Sequence, residues 1–138
     1  LRKRNPFKRI YAWYIQEPLD VSLMNEAAQT LLTFEDFSSF ARTGSDVKHH
    51  RCDVRKAVFT EKGTELHFDI AADRFLRNMV RAIVGTLLDV GKGKLSVDEF
   101  RSVVQAKDRS KAGTSAKAHG LYLHEIRYNA LLESFENA

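Results

Sequence analysis

Arg77 and Arg81, four residues apart, are the first residues in this sequence whose types and spacing could do chemistry. They lie in the run Phe75-Leu76-Arg77-Asn78-Met79-Val80-Arg81-Ala82-Ile83-Val84-Gly85-Thr86-Leu87-Leu88-Asp89-Val90-Gly91. On a helix with residues about 100° apart, the apolar set is Phe75, Leu76, Met79, Val80, Ile83, Val84, Leu87 and Leu88. It covers well over half of the circumference, so the helix is expected to be buried on most sides. Arg77 and Arg81 sit one turn apart at a border of that arc. Gly85 follows one turn beyond Arg81, where a missing side chain admits another backbone or a ligand. A guanidinium in that setting needs a carboxylate or a phosphate. Two partners fit: an ion pair internal to the fold, or an anion that belongs to a reaction. Spacing alone leaves both open.

The other reactive side chains form no self-contained site. His49 and His50 are adjacent, a poor spacing for two ligands on one metal, and no third ligand stands nearby. Cys52 is the one cysteine; it has no convincing base beside it, which favours a buried, neutral thiol. Gly91-Lys92-Gly93 is a helix terminator rather than a phosphate cradle. Arg42-Thr43-Gly44 with Asp46 is an acid-bearing turn. No metal centre is expected.

Charge supplies the second clue. The 138 residues carry a formal net charge of +4, unevenly placed. Arg2, Lys3, Arg4, Lys8 and Arg9 crowd the start; Lys48, His49, His50, Arg51, Arg55 and Lys56 form a second cluster. Lys107, Arg109, Lys111, Lys117 and His119 form a third. Any one of these could be plain solvated surface. Three on one small domain favour a polyanionic partner, because phosphate contacts come mainly from Lys and Arg. With 43% hydrophobic and 29% charged residues, wholesale disorder is excluded. One cysteine excludes an internal disulfide framework, and a reducing, cytoplasmic setting is the default. No membrane-length apolar run and no signal peptide is present. The chain opens at Leu1 rather than methionine, as an excised piece of a longer protein would.

The elements that must position these groups follow from pattern. Asp20 is expected to N-cap a helix over Val21 to Leu32 with Leu23, Ala27, Ala28, Leu31 and Leu32 inward. Phe34, Phe37 and Phe40 would close over the core. Asp53 to Glu61 and Thr64 to Ala71 form a hairpin around Lys62-Gly63, with Leu66, Phe68 and Ile70 on one face and Glu65, His67 and Asp69 on the other. The long helix spans Phe75 to about Val90. Ser96 and Glu99 form a capping box for a helix over Val97 to Ala106. A last strand is expected over Leu121 to Tyr128. Tyr11, Trp13 and Tyr14 lie in an arm or edge segment. The fold class is α+β, a mostly antiparallel sheet backed by helices. The organisation is an arm over 1–18, a domain over 19–130 and a tail over 131–138.

From Asp69 onward the sequence resembles the TruA family of tRNA pseudouridine synthases. The long run above carries the likeness, with Ala106-Lys107-Asp108-Arg109-Ser110-Lys111-Ala112-Gly113 and Ala118-His119-Gly120-Leu121-Tyr122-Leu123. Weaker matches lie in Leu23-Met24-Asn25-Glu26-Ala27-Ala28 and Phe34-Glu35-Asp36-Phe37-Ser38-Ser39-Phe40. The likeness implies the C-terminal half of a cytoplasmic, homodimeric enzyme that needs no cofactor. Such an enzyme isomerises uridine to pseudouridine in the tRNA anticodon stem-loop, at positions 38 to 40. It also implies that an aspartate attacks the nucleotide, the glycosidic bond breaks, and the uracil reattaches through carbon 5. The target base must leave its stack to reach that aspartate.

Arg81, in the Met-Val-Arg motif, is implied to pair with the aspartate and keep it ionised. Arg51, Arg55, Arg77, Asn78, Lys107 and Arg109 are the expected RNA contacts. The family's aspartate sits in a Gly-Arg-Thr-Asp-Ala-Gly stretch, which this sequence lacks. Here Gly44 follows Arg42-Thr43, and Asp46 is no match. Tyr11 and Tyr14 are no confident substitutes for the family's tyrosine near the base, and Lys117 stands where many relatives have proline. This half is therefore expected to be inactive alone and to need the N-terminal catalytic half of the same protein. A non-catalytic RNA- or DNA-binding module is the alternative, and a dimerisation domain is a third reading.

Overall fold

Asp20 starts the first helix as its type predicts: one carboxylate oxygen accepts from the Leu23 amide at 3.1 Å, meeting a donor that helix geometry leaves unpaired. The computed structural model describes residues 18–42, 49–62 and 65–115. Helix α1 covers Val21–Thr30 and tightens into a single 3-10 turn over Leu31–Thr33. Its buried stripe is Met24, Ala27, Ala28 and Leu31, the i, i+3, i+4, i+7 set of one helical face. The expected inward positions Leu23 and Leu32 are instead 38% and 40% exposed. Each lies one residue off that stripe, and the small Ala27 and Ala28 fix which face can approach the core. Phe37 and Phe40 are fully buried, and Phe40 stacks on Phe100 with centroids 6.1 Å apart. Phe34 stays half-buried beneath the Arg101 guanidinium.

Strands β1 (Val54–Lys62) and β2 (Glu65–Ala72) pair antiparallel, with Phe59 opposite Phe68 and Ala57 opposite Ile70. The Phe59 and Phe68 rings stack at 4.4 Å, a cross-strand contact that sets register. An irregularity between Val54 and Lys56 brings Val54 and Ala57 both inward, which explains the imperfect alternation of this strand. Helix α1 covers the outer edge of β1. Asn25 donates to the Phe59 carbonyl at 3.0 Å and accepts its amide at 2.6 Å, and Gln29 donates to the Ala57 carbonyl at 2.9 Å. An open strand edge is thereby closed by side chains.

Helix α2 spans Met79–Gly91, shorter at its start than the sequence predicts. Asn78 precedes it in the left-handed region with φ 67°, a conformation asparagine tolerates. Phe75, Leu76 and Arg77 therefore belong to the incoming turn, and Arg77 is not one helical turn from Arg81. The helix is otherwise as enclosed as its wheel implies; only Arg81, Val84 and Asp89 are partly exposed. At its end Gly93 (φ 82°) donates to the Val90 carbonyl and Lys94 to the Asp89 carbonyl, a Schellman pattern. Gly91 does something else. It is the last helical residue, and a Cβ there would lie 2.5 Å from Met24 Sδ and 3.2 Å from Leu19 Cδ2.

These two glycines predict different costs. Gly91→Val should overpack the buried Met24 by about 1–3 kcal/mol, while Gly93→Ala should cost about 1 kcal/mol through its positive φ alone. Urea unfolding midpoints measure both. An unchanged midpoint for Gly91→Val would mean that Met24 yields freely.

Helix α3 (Val97–Ala106) has both bonds of the expected capping box, Glu99 amide to Ser96 Oγ at 3.1 Å and Ser96 amide to Glu99 Oε1 at 2.9 Å. The fully buried Ser39 joins its far end to the next loop. Ser39 donates to the Val103 carbonyl at 2.6 Å and accepts from the Asp108 amide at 3.1 Å. The described residues form an α+β arrangement, an antiparallel hairpin with three helices packed through α1. The N-terminal arm, the turn at Asp46, the hairpin tip at Gly63, the last strand over Leu121 to Tyr128 and the tail lie outside them. Among the described residues no helix is long and apolar enough to cross a membrane.

Candidate functional site

Two polar groupings border the start of α2. The first is built on Ser115. Asn78 donates to Ser115 Oγ at 2.8 Å, and Arg109 donates to the same oxygen at 3.0 Å. The second fork of Arg109 donates to the Gly113 carbonyl at 3.1 Å. Gly113 in turn donates its amide to Thr86 Oγ1 at 2.9 Å, and the Thr86 hydroxyl donates to the Ala82 carbonyl at 2.8 Å. Thr86 is fully buried, so this bond gives the buried face of the helix a polar attachment point. The backbone at Gly113 is close enough that a Cβ would lie 3.2 Å from Thr86 Cα, 3.4 Å from the Gly85 carbonyl and 2.5 Å from Asp89 Oδ2. The Gly113 backbone thus packs closely on the Gly85–Thr86 stretch of α2.

Arg81 lies one turn before Gly85 on this helix and is half-buried. It is engaged by its surroundings rather than free. Arg77 is exposed in the turn, and its carbonyl accepts the Arg42 amide at 3.1 Å.

The second grouping joins the Phe34–Phe37 segment to His50–Cys52. Asp36 and Arg51 form an antiparallel bridge, flanked by Phe37 amide to His50 carbonyl and Cys52 amide to Glu35 carbonyl, each 2.9 Å. Lys107, in the left-handed region at the end of α3 (φ 54°), brings its Nζ to 4.0 Å from Asp36 Oδ2. Burial pulls the Asp36 carboxyl upward, but Ser38, donating through hydroxyl and amide, and the charges of Lys107 and His50 hold it below its ordinary value. Arg74 reaches His49 Nδ1 at 3.2 Å and the Arg51 carbonyl at 3.4 Å. Arg55, exposed on β1, pairs with Asp53 at 3.1 Å, a surface contact worth little in stability.

Of the expected site residues, Asn78 and Arg109 are brought together through Ser115. Arg51 lies against Asp36 through its backbone and Lys107 through its ammonium. Arg55 and Arg77 stand apart, exposed. Cys52 is buried as expected, its thiol pushed up to about 11 by burial and lying 3.8 Å from Met79 Sδ. Among the described residues no His, Cys, Asp and Glu side chains form a group able to hold a metal ion. The residues the pattern missed are Ser115, Thr86 and Arg74. Thr86 alone carried a signal, as the one hydroxyl in an apolar helical run.

A model of the tRNA pseudouridine synthase family matches residues 27–129. The tRNA pseudouridine synthase A of Bacteroides fragilis is 52% identical over 124 residues, 89% of this chain and 49% of that protein. The protein of the same name from Parabacteroides distasonis is 48% identical over 126 residues, 91% and 50% of the two chains. That of Bacillus subtilis is 43% identical over 123 residues, 89% and 50%. The chain spans about half the length of the curated relatives it matches. The matched region takes in the hairpin, all of α2 and α3 and the Arg109–Ser115 segment, and on that extent the chain belongs to the tRNA pseudouridine synthase family.

Proposed function

We propose that this chain is the C-terminal half of an enzyme that isomerises uridine to pseudouridine in the tRNA anticodon stem-loop, at positions 38 to 40. Its core is the unit 19–130, and its partners are tRNA, the N-terminal half of the same protein and a second copy. It works in the cytoplasm. The nucleophilic aspartate comes from the N-terminal half, and Arg81 pairs with it. The observation that carries this reading is the setting of Arg81: half-buried, on the most enclosed helix, one turn from the Gly85–Thr86 stretch on which the Gly113 segment packs. In such a place the pair would be shielded from water, and the guanidinium would hold the carboxylate ionised and oriented.

RNA is held by the exposed Arg51, Arg55, Arg77 and Lys107, which meet phosphates rather than base edges. Such contacts release counterions and make affinity fall with salt. They also discriminate poorly among sequences, because folded RNA is met mainly through shape and backbone.

The test is the full-length protein with tRNA carrying uridine at positions 38, 39 and 40. Pseudouridine at one or more of these positions is expected, with tRNA affinity falling steeply between low and high salt. Each of the four cations replaced by glutamine should reduce the salt slope by about 1. Retained tRNA binding with no conversion at any uridine would favour a non-catalytic RNA-binding module.

A further inference from the structure

Arg109 stands in a basic cluster but directs two of its donors inward, to Gly113 and Ser115. Ser115 Oγ accepts from both Arg109 and Asn78, so both of its lone pairs are filled and its place is fixed from two sides. Gly113, held by the same guanidinium, is bonded to Thr86, whose hydroxyl bonds Ala82, the neighbour of Arg81. One planar fork thus folds the 109–115 segment on itself, holding the Gly113 amide toward Thr86 of α2 and Ser115 Oγ toward Asn78 in the turn before it. We propose that Arg109 is a positioning residue for the isomerisation: it seats this segment against Gly85 and Thr86 and so fixes the packing on the helix that carries Arg81.

This rests on the activity proposed above. The chemistry favours arginine in this role. Two acceptors four and six residues along the chain require a rigid, planar donor pair, and an ammonium offers only a compact point charge. The bonds form a connected chain of side chains and backbone, and its members are expected to act together. A segment displaced by about 1 Å near a reacting centre can cost on the order of 10²-fold in rate.

Arg109→Gln, Arg109→Lys and Ser115→Ala are compared in the full-length protein. The readouts are tRNA Kd, its salt dependence, the single-turnover rate at saturating enzyme and hydrogen exchange of the segment containing the Gly113 amide. Arg109→Gln is expected to lower the saturating rate by about 10–100-fold with Kd and salt slope within about twofold of the parent. Arg109→Lys should recover part of the rate. The Gln and Ala changes together should cost less than the product of their separate effects, since both break one network.

Faster exchange at Gly113 should accompany the rate loss. A higher Kd and a shallower salt slope, with the saturating rate intact, would make Arg109 an RNA contact and overturn the proposal. Unchanged rate and exchange would overturn it too. Ser115→Ala removes a single oxygen, so it keeps the question open should an Arg109 variant fail to fold. If the parent protein forms no pseudouridine, the activity reading fails by itself. Gly113 exchange then decides alone: unchanged protection in Arg109→Gln sinks the clamp.

Discussion

Arg81→Met in the full-length protein should lower single-turnover pseudouridine formation about 10³-fold, the equivalent of roughly 4 kcal/mol for breaking an enclosed ion pair. Methionine keeps much of the apolar stem that a half-buried arginine packs along α2, so the fold should tolerate the change. What it removes is the charge and the fork of donors. Without them the nucleophilic carboxylate loses both the field that keeps it ionised and the contact that aims it. Arg81→Lys should recover little, because a point charge cannot reproduce bidentate geometry. Arg77→Met is the comparison. Arg77 sits exposed in the turn before the helix, and its loss should weaken tRNA affinity more than it slows the chemical step. The measurement is pseudouridine formed in a single turnover at saturating enzyme, with melting curves on each variant. A near-normal rate for Arg81→Met would assign this arginine to internal structure and remove it from the site.

How much of this was legible in the residues depends on how local each signal is. The caps at Asp20 and Ser96 and the bounds of α3 follow from side chains acting within one turn, and the structure carries them as read. The start of α2 does not. Phe75 and Leu76 continue an apolar helical pattern, yet both are buried in the turn ahead of it while Asn78 takes a left-handed conformation. Burial demands apolar residues there, and periodicity cannot distinguish a buried turn from a buried helix. Leu23 and Leu32 fail for a related reason: hydrophobicity marks them, but the neighbouring alanines decide how close the helix lies and which face turns inward. The site shows the same division. The placement of Arg81 and Gly85 one turn apart was legible from helical spacing, because both lie on one element. The turning inward of Arg109 and Asn78 was not, because their shared acceptor Ser115 lies on a segment that no local pattern ties to either. A basic residue in a basic cluster looks solvent-facing until its acceptors are placed around it.

The largest effect is expected from the chain alone: the 138 residues should form no pseudouridine above a no-protein control. The reaction proposed above takes its nucleophilic carboxylate from the N-terminal half. Several acids of the described residues do structural work instead. Asp20 caps α1, Asp36 accepts from Ser38, and Asp108 accepts from Ser110. Asp73 accepts the Asp53 amide, while Asp53 meets Arg55. Each holds a nearby backbone amide or an exposed arginine, the ordinary work of short acids in turns and caps. Nor does any segment of the sequence match the Gly-Arg-Thr-Asp-Ala-Gly pattern expected of the nucleophile. tRNA binding should survive in the isolated chain, weakly and with strong salt dependence, because it rests on exposed Lys and Arg. Binding without turnover would therefore separate a missing nucleophile from a failure to fold. Adding the separately produced N-terminal half should restore conversion, and Arg81→Met in this chain should abolish that rescue. Conversion by the chain alone would mean that one of its own carboxylates reaches the nucleotide, and the pairing assigned to Arg81 would then have to be sought within these residues.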